Sequence, residues 1–345
     1  MPYSVRYSPI ASRSKEPWVK VELRTGKIVS RHRTKAKAKA SIRAYYATRN
    51  QLALNAANPL RLDPTRTTMI RRQFMADVAA RFRRLKVKVQ EFMVEHDALG
   101  LGERKAMVVM ASPREYQFLT DPDKLKAFQE WFQQQVKAEI LSVPRGVAAD
   151  QPWTAKYVES AYKRGQINAY LATRSVLDPS DKKFIDSSQA SFLRSSFQQP
   201  ETVSKIRLLA LRSFEDMKGV SAQMGANLNR FLAQGLADGS GPREIAKAMA
   251  ENIDNLTRTR ALLIARTETI HAHAEGQLDA FDRLGVKELG IKAEWSTAGD
   301  DRVCDQCGGN EGQIFDMEEA RGMIPLHPNC RCTWIPSKEG AEKKQ

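Results

Sequence analysis

The N-terminal fifty residues combine the apolar spacing of a strand with that of a helix. Val19 and Val21 alternate with polar residues, and a Thr-Gly turn and a second short apolar run follow them. Alternation that ends at a turn is typical of a β-hairpin. Thr34 is a suitable N-cap for a helix over residues 35–49. We therefore predict a small hairpin-helix module over residues 1–50.

The middle of the chain has the periodicity of amphipathic helices. Ile70, Phe74 and Val78 keep a spacing close to 3.6 residues between basic neighbours, and similar stripes recur through residue 284. Asp-Pro pairs precede two of these stripes, at Asp63-Pro64 and Asp121-Pro122, because Asp caps a helix and Pro fits its first turn. The sequence predicts a helical body, of which residues 51–202 form a spacer domain.

Past Gly290 the pattern changes to short strand-like pieces separated by Gly, Asp and Pro turns. All four cysteines of the chain lie in this part, so we predict a small separate module around them at 291–336 and a frayed tail at 337–345. The predicted fold class is mainly α: a helical body with a small N-terminal β-hairpin/helix module and a C-terminal cysteine-rich α+β metal knuckle.

The spacing of the cysteines indicates a structural zinc site. Cys304 and Cys307 share one tight turn, and His327, Cys330 and Cys332 share a second turn, so five candidates compete for the four positions of a zinc tetrahedron. His327 and Cys332 contest the fourth position. Two disulfides or free thiols are the alternatives, and disulfides are disfavoured in a cytoplasmic assembly. A catalytic zinc fits less well, because four protein ligands leave no open position.

The positive charge of the chain is concentrated at one end. The net charge is +15, and the first hundred residues hold 22 Lys or Arg against seven Asp or Glu. Such a basic pole is typical of a protein that binds a polyanion, although a solvated basic face gives the same pattern. We predict non-specific binding of double-stranded DNA through the basic residues of the hairpin-helix module: Arg31, Arg33, Lys35, Lys37, Lys39 and Arg43.

Two residues upstream of the cysteines are candidates for a structural contact. Arg266 and Glu268 lie on the predicted helix that ends at Gly285, and we expect them to form an ion pair that holds this helix against the knuckle. The alternative is a second metal bound by Glu268 with Asp300 and Asp301.

The chain has no apolar run long enough to span a bilayer and no secretory leader at its start. We therefore expect a soluble protein that is made in the cytoplasm and has no membrane partner.

The C-terminal part of the chain contains an ordered series of motifs: Gly239-Ser-Gly-Pro-Arg-Glu-Ile, Ala265-Arg-Thr-Glu-Thr269, Trp295-Ser-Thr297, Asp300-Asp-Arg-Val-Cys304-x-x-Cys307, Gly312-Gln313 and Pro325-Leu-His-Pro-Asn-Cys-Arg-Cys332. This series resembles the phage Mu F-like head morphogenesis family, the minor head proteins of tailed bacteriophages. The resemblance covers roughly residues 205–336, and it defines a predicted domain at 203–336 that includes the knuckle. Family patterns usually have two prolines before the histidine, and this chain has Pro-Leu.

The resemblance implies a virion or procapsid component that assembles in the host cytoplasm, associates with the portal protein at the portal vertex inside the phage head, and contacts packaged DNA. The major capsid protein or a scaffold protein is a further partner to test. The resemblance assigns no catalytic residue.

We therefore predict a minor capsid protein that is not an enzyme. The alternative function is a metal-dependent nuclease acting on phage or host DNA, with His327 and Asn329 near a scissile phosphate. Such nucleases need a second histidine or acid beside the metal, and the Met323-Ile-Pro-Leu segment before His327 supplies neither.

A two-ended adaptor would separate its DNA end from its portal end, and we expect the helical spacer to hold them tens of ångströms apart.

Overall fold

A computed structural model describes residues 3–7, 18–22, 28–35, 38, 63–101, 121–142, 151–177, 187–286, 289–300 and 302–338. The chain forms two compact units, each assembled from separate stretches. The knuckle unit comprises Met1–Ile70, Tyr157–Ile206 and Thr267–Gln345, and the helical unit comprises Arg71–Lys156 and Arg207–Arg266. The domains of consecutive residues that the sequence suggests, with boundaries at 50, 202 and 336, stay a prediction.

Most of the described residues are helical, which confirms the predicted fold class. Single π-helical turns follow α1 and α6, at Glu91–Glu95 and Thr257–Ala261. The helices are α1 (Thr68–Gln90), α2 (Asp121–Glu139), α3 (Ala155–Val176), α4 (Gln189–Phe197), α5 (Pro200–Ala237), α6 (Pro242–Leu256), α7 (Leu262–Arg283), α8 (Asp305–Asn310) and α9 (Met317–Ala320). No helix in these described ranges is both long and apolar enough to cross a membrane.

The N-terminal residues form a three-stranded antiparallel sheet of β1 (Tyr3–Tyr7), β2 (Trp18–Glu22) and β3 (Ile28–His32), in that spatial order. Strands β2 and β3 are the predicted hairpin, whereas β1 is an addition that the sequence analysis missed. Val19 and Val21 are buried, as their alternation predicts. Of the predicted helix over 35–49, Lys35 and Ala38 are helical, and the rest lies outside the described residues.

A second antiparallel sheet forms the knuckle. It consists of β4 (Ile291–Ser296), β5 (Ile314–Phe315) and β6 (Thr333–Lys338) in the order β5-β4-β6. Trp295 on β4 pairs with Trp334 on β6, and their buried rings meet edge to face with centroids 5.3 Å apart.

The knuckle packs against neighbouring helices of the same unit. Its tryptophans and buried cysteines belong to one hydrophobic cluster with Tyr170 of α3, Phe192 of α4 and Phe281 of α7. Burial of large aromatic side chains contributes more to stability than a small cysteine-rich loop can supply alone. The knuckle therefore shares a hydrophobic core with these helices in addition to its cysteines.

The helical unit neutralises much of the charge that makes α1 basic. Arg84 and Lys88 bind the Glu139 carboxylate at 2.6 and 3.1 Å. Arg81 donates to the Glu139 carbonyl oxygen at 2.7 Å, and its guanidinium lies 4.0 Å from the centroid of the Trp153 ring. These side chains hold α1 against α2 and are engaged in packing.

The expected separation between the basic N-terminus and the cysteine module is wrong for the strands that the structure describes. Strand β1 lies against α8, and both belong to the knuckle unit. The helical stretch between them in sequence does not separate them in space, because the chain returns to the same unit after residues 71–156 and again after 207–266.

Candidate metal centre

The first cysteine turn is the beginning of α8. Cys304 is the N-cap of this helix, and its Sγ accepts a hydrogen bond from the Cys307 amide at 3.4 Å. Cys304 is exposed and Cys307 is buried. The helix start thus places two thiols on one side of a single turn, with the backbone amide oriented toward a sulfur as it is around bound thiolates.

The second turn runs from His327 to Cys332. The Cys330 amide donates to the His327 carbonyl oxygen at 3.1 Å, and Asn329 between them has a left-handed backbone with φ of 65°. Asn tolerates this conformation better than most residues. The turn directs the buried Cys330 and Cys332 toward Cys307.

His327 connects the two turns in a defined tautomer. Its Nε2 lies 3.1 Å from the Sγ atoms of both Cys304 and Cys307. Its Nδ1 lies 2.8 Å from the carbonyl oxygen of Pro328. A carbonyl only accepts hydrogen bonds, so in the neutral ring Nδ1 carries the hydrogen and Nε2 presents its lone pair to the two sulfurs. This is the arrangement in which a histidine ligates a metal while its second nitrogen is held by the protein.

The five donors form two overlapping groups. One contains Cys304, Cys307 and His327, and the other contains Cys307, Cys330 and Cys332, with the donor atoms of each group within 4.8 Å of one another. The Cys307 and Cys330 sulfurs are 3.8 Å apart, close to the edge of about 3.8 Å expected for a tetrahedron with bonds of about 2.3 Å.

A cavity of about 20 Å³ is lined by these five side chains and their neighbours, which is enough space for a single water molecule or ion. Cysteine sulfur and histidine nitrogen are the preferred zinc ligands, so the residues present fit a zinc ion. The structure thus shows a cluster that could hold a metal ion. It brings all five predicted candidates together without choosing between His327 and Cys332.

The thiols of the second group share their protons unequally. Hydrogen bonds from Cys307 and Cys332 lower the pKa of Cys330. The same bonds, together with burial, raise the pKa of Cys307 and of Cys332. A bound cation would take the place of these protons, and binding would therefore release protons to solvent.

An ion pair joins the two turns beside the sulfurs. Arg331, between the last two cysteines, donates to both carboxylate oxygens of Asp300 at 2.7 and 2.5 Å, and Arg302 binds the same carboxylate. Burial raises the pKa of Asp300, but these guanidinium hydrogen bonds outweigh burial and lower it overall.

The predicted contact of Arg266 and Glu268 stays a prediction. Glu268 is buried with a carboxylate oxygen 4.0 Å from His271 Nδ1, and Arg266 is exposed. For the alternative second metal, Glu268 and Asp300 belong to neither of the metal-competent groups found among the described residues. Asp301 lies outside the described residues.

An ion-paired contact between the long helix and the knuckle does exist, at positions that the sequence analysis missed. Arg321 of the knuckle binds Glu275 at 3.2 Å and Asp279 at 2.7 Å, and it also binds Asp282. Lys205 binds Asp279 at 2.6 Å. The signal was present as three acidic residues on one face of α7, at positions i, i+4 and i+7.

A buried glutamine adds a second link between the same elements. Gln277 Nε2 donates to the Trp334 carbonyl oxygen at 2.8 Å. Its Oε1 accepts from the Thr333 hydroxyl at 2.8 Å and from the Trp334 amide at 3.1 Å. The side chain thereby pairs with β6 as a neighbouring strand would, which fixes the cysteine-bearing end of the chain on α7.

The predicted DNA-binding residues are only partly described. Arg31 is on β3, and Arg33 and Lys35 are exposed directly after it. Lys35 Nζ lies 5.4 Å from the centroid of the Trp18 ring. Lys37, Lys39 and Arg43 lie outside the described residues, and the role of all six residues stays a prediction.

Comparison with known proteins identifies the region that carries this centre. The family model described as Phage Mu protein F like protein matches residues 226–335, which contain α6, α7 and both cysteine turns. No curated protein and no solved structure matches the chain. Residues 226–335 are thus similar to the phage Mu F-like head morphogenesis family, which supports a protein of this kind.

Proposed function

We propose that this protein is a structural component of a phage head that binds double-stranded DNA, associates with the portal protein, and carries a structural zinc ion in its knuckle. The family match at residues 226–335 carries this proposal. The major capsid protein or a scaffold protein is a further partner. The protein would act in the host cytoplasm during assembly and afterwards inside the head or at the portal vertex.

The donor set supports a structural zinc ion over a catalytic one. Five soft or borderline donors surround a cavity of about 20 Å³, whereas a catalytic zinc keeps one position open to water or substrate. The nearby Asp300 carboxylate is bound by two guanidinium groups, from Arg302 and Arg331, so it is poorly placed to act as a base.

Charge distribution supports DNA contact at the N-terminus. The first hundred residues hold the whole excess positive charge. In the helical unit, Glu139 and Asp254 pair with basic side chains of α1, so these side chains are less able to neutralise phosphate. Arg33 and Lys35, which are exposed, are better candidates.

Quantitative mass spectrometry of purified particles tests the head assignment. We expect the full chain in particles at a fixed ratio to portal protein, and co-purification of the two proteins from cells that express only these two. Absence from both procapsids and mature particles would contradict a structural role. Full-length protein is required, because a fragment such as 200–345 would divide the knuckle unit.

A nicking assay tests the nuclease alternative. Supercoiled plasmid is incubated with the protein and magnesium or manganese, with and without chelator. We expect no nicking above that of a His327→Ala control. Chelator-sensitive nicking that the control lacks would favour the enzyme.

A further inference from the structure

The N-terminal sheet is small enough to need support from a neighbouring element. Each of its three strands has five residues, and the buried side chains described in residues 1–50 are Val19, Val21 and Ala38. A sheet of this size has marginal stability unless it packs on something else.

Helix α8 is such a neighbour, since β1 lies against it within the knuckle unit. This helix has six residues, among them Gly308, Gly309 and Asn310. Short helices are unstable in isolation, and these residue types have low helix propensity. Propensity therefore does not explain why α8 forms.

The metal centre supplies the missing constraint. Cys304 is the N-cap of α8 and Cys307 lies within it, and both sulfurs face His327 Nε2 at 3.1 Å. A cation shared by these three donors would fix the first turn of α8 to the second cysteine turn. The helix against which β1 lies thus begins at two candidate metal ligands.

We propose that metal bound at the knuckle positions the N-terminal sheet, and that the DNA affinity of this end therefore depends on the metal. The second part rests on the proposed DNA binding. The knuckle itself is a poor surface for phosphate, because residues 291–338 contain five Lys or Arg and eight Asp or Glu. The contribution of the knuckle is to hold β3 and the basic residues Arg31, Arg33 and Lys35 in place before DNA binds.

This mechanism has a specific signature in the salt dependence of binding. Loss of metal removes no basic side chain, so the number of phosphates neutralised, and with it the slope of log affinity against log salt, stays unchanged. The affinity falls at every salt concentration, because the segment must now be ordered during binding. We expect a loss of about tenfold, which corresponds to about 1.4 kcal/mol.

The experiment uses full-length protein and a short DNA duplex, titrated at several salt concentrations in the zinc-loaded state, after chelation, and after zinc is restored. Hydrogen exchange of the β1, β2 and β3 amides is measured in the same three states. Exchange in α6, which belongs to the helical unit, serves as the control for global unfolding. Cys304→Ser repeats the comparison without chelator.

Faster exchange in the sheet on chelation, unchanged exchange in α6, and a parallel downward shift of the affinity line would support the proposal. Unchanged affinity and sheet exchange after zinc is removed would overturn it, and so would a flatter salt slope, which would mean that the knuckle touches phosphate. Absence of DNA binding in every state would overturn the DNA part of the proposed function, and the exchange data would still decide whether metal positions the sheet.

Discussion

Gly276 on α7 lies directly against the backbone of Tyr162 on α3. A Cβ atom at Gly276 would be 2.3 Å from the Tyr162 carbonyl oxygen, and one at Gly165 would be 2.1 Å from the His273 carbonyl oxygen. The two helices therefore cross at a pair of glycines, and the Tyr162 hydroxyl binds Asp279 one turn further along. This close approach fixes the helix on which the knuckle rests.

Gly276→Ala should destabilise the protein, because the added methyl group would overlap backbone atoms that cannot move independently. We expect a loss of about 1–3 kcal/mol in the free energy of unfolding, measured by urea denaturation. Gly219→Ala is the matched control, since it is also helical and its Cβ would meet nothing within 4 Å. The control should be neutral or slightly stabilising, and equal effects would contradict the close crossing.

The zinc content of variants should show whether His327 or Cys332 is the fourth ligand. We expect close to one zinc per chain in protein purified without added metal, measured by elemental analysis. Cys307→Ser should lose it, because Cys307 is the donor shared by both groups. His327→Ala and Cys332→Ser are compared side by side, and the variant that loses more zinc identifies the ligand. Intact disulfides with no zinc would reject the metal site.

The zinc-free variants should remain largely folded. Trp295, Trp334 and Phe281 belong to a buried hydrophobic cluster in which the cysteines are a minority of the side chains. We therefore expect near-ultraviolet circular dichroism from the tryptophans to persist in Cys307→Ser, with a reduced melting temperature. Complete loss of that signal would mean that the knuckle folds only with metal.

Arg321→Gln should weaken the attachment of the knuckle to α7. The substitution leaves Glu275 and Asp279 with one fewer cationic partner in a partly buried site, and we expect a loss of about 2 kcal/mol. Lys218→Gln is the control, because its pair with Glu215 is exposed and should contribute little. The measurement is the unfolding free energy in urea, and similar losses in both variants would contradict the structural role of Arg321.

Stability should decrease with acid partly through Asp279. Burial raises the pKa of this carboxyl, but hydrogen bonds from Lys205 and Tyr162 and the charge of Arg321 lower it overall. A folded-state pKa below the unfolded value stabilises the protein above the unfolded pKa, near 4, and this contribution is lost as pH falls through the folded pKa. Asp279→Asn should therefore be less stable than wild type at pH 7, and the difference should shrink below about pH 4. A constant difference across this range would show that the carboxylate charge is unimportant.

Alanine at Lys35, Lys37, Lys39 and Arg43 should lower the affinity for double-stranded DNA and flatten its salt dependence. The slope changes by close to one for each phosphate that is no longer neutralised. A control variant replaces four exposed lysines of the helical unit, Lys126, Lys137, Lys218 and Lys247, and keeps the same net charge. Equal effects of the two variants, measured by fluorescence anisotropy, would indicate general attraction without a localised site.

Local sequence patterns determined the features that depend on neighbours in the chain. Alternation predicted the β2–β3 hairpin, 3.6-residue spacing predicted the mainly helical fold, and the close pairs of cysteines predicted two turns that meet. Each of these features depends on the geometry of a few consecutive residues, because the helical and strand periods decide which side chains share a face. Motif order also indicated a resemblance to the phage Mu F-like family, and the match of the family model to residues 226–335 confirms that resemblance.

Only the tertiary structure decided which distant groups meet. The hydrogen bond from His327 to the Pro328 carbonyl sets its tautomer toward the sulfurs, and Arg321, not a residue near Arg266, was found to pair with the acidic face of α7. Glu139 pairs with Arg84 of α1, so basic residues of α1 are engaged in ion pairs. Arg33 and Lys35 near the N-terminus are exposed. Strand β1 lies beside α8, although most of the described residues between them in sequence are helical. The order of residues in a short stretch shows charge and periodicity. The partners of residues far apart in sequence depend on how the chain returns to the same unit, and no local pattern encodes that path.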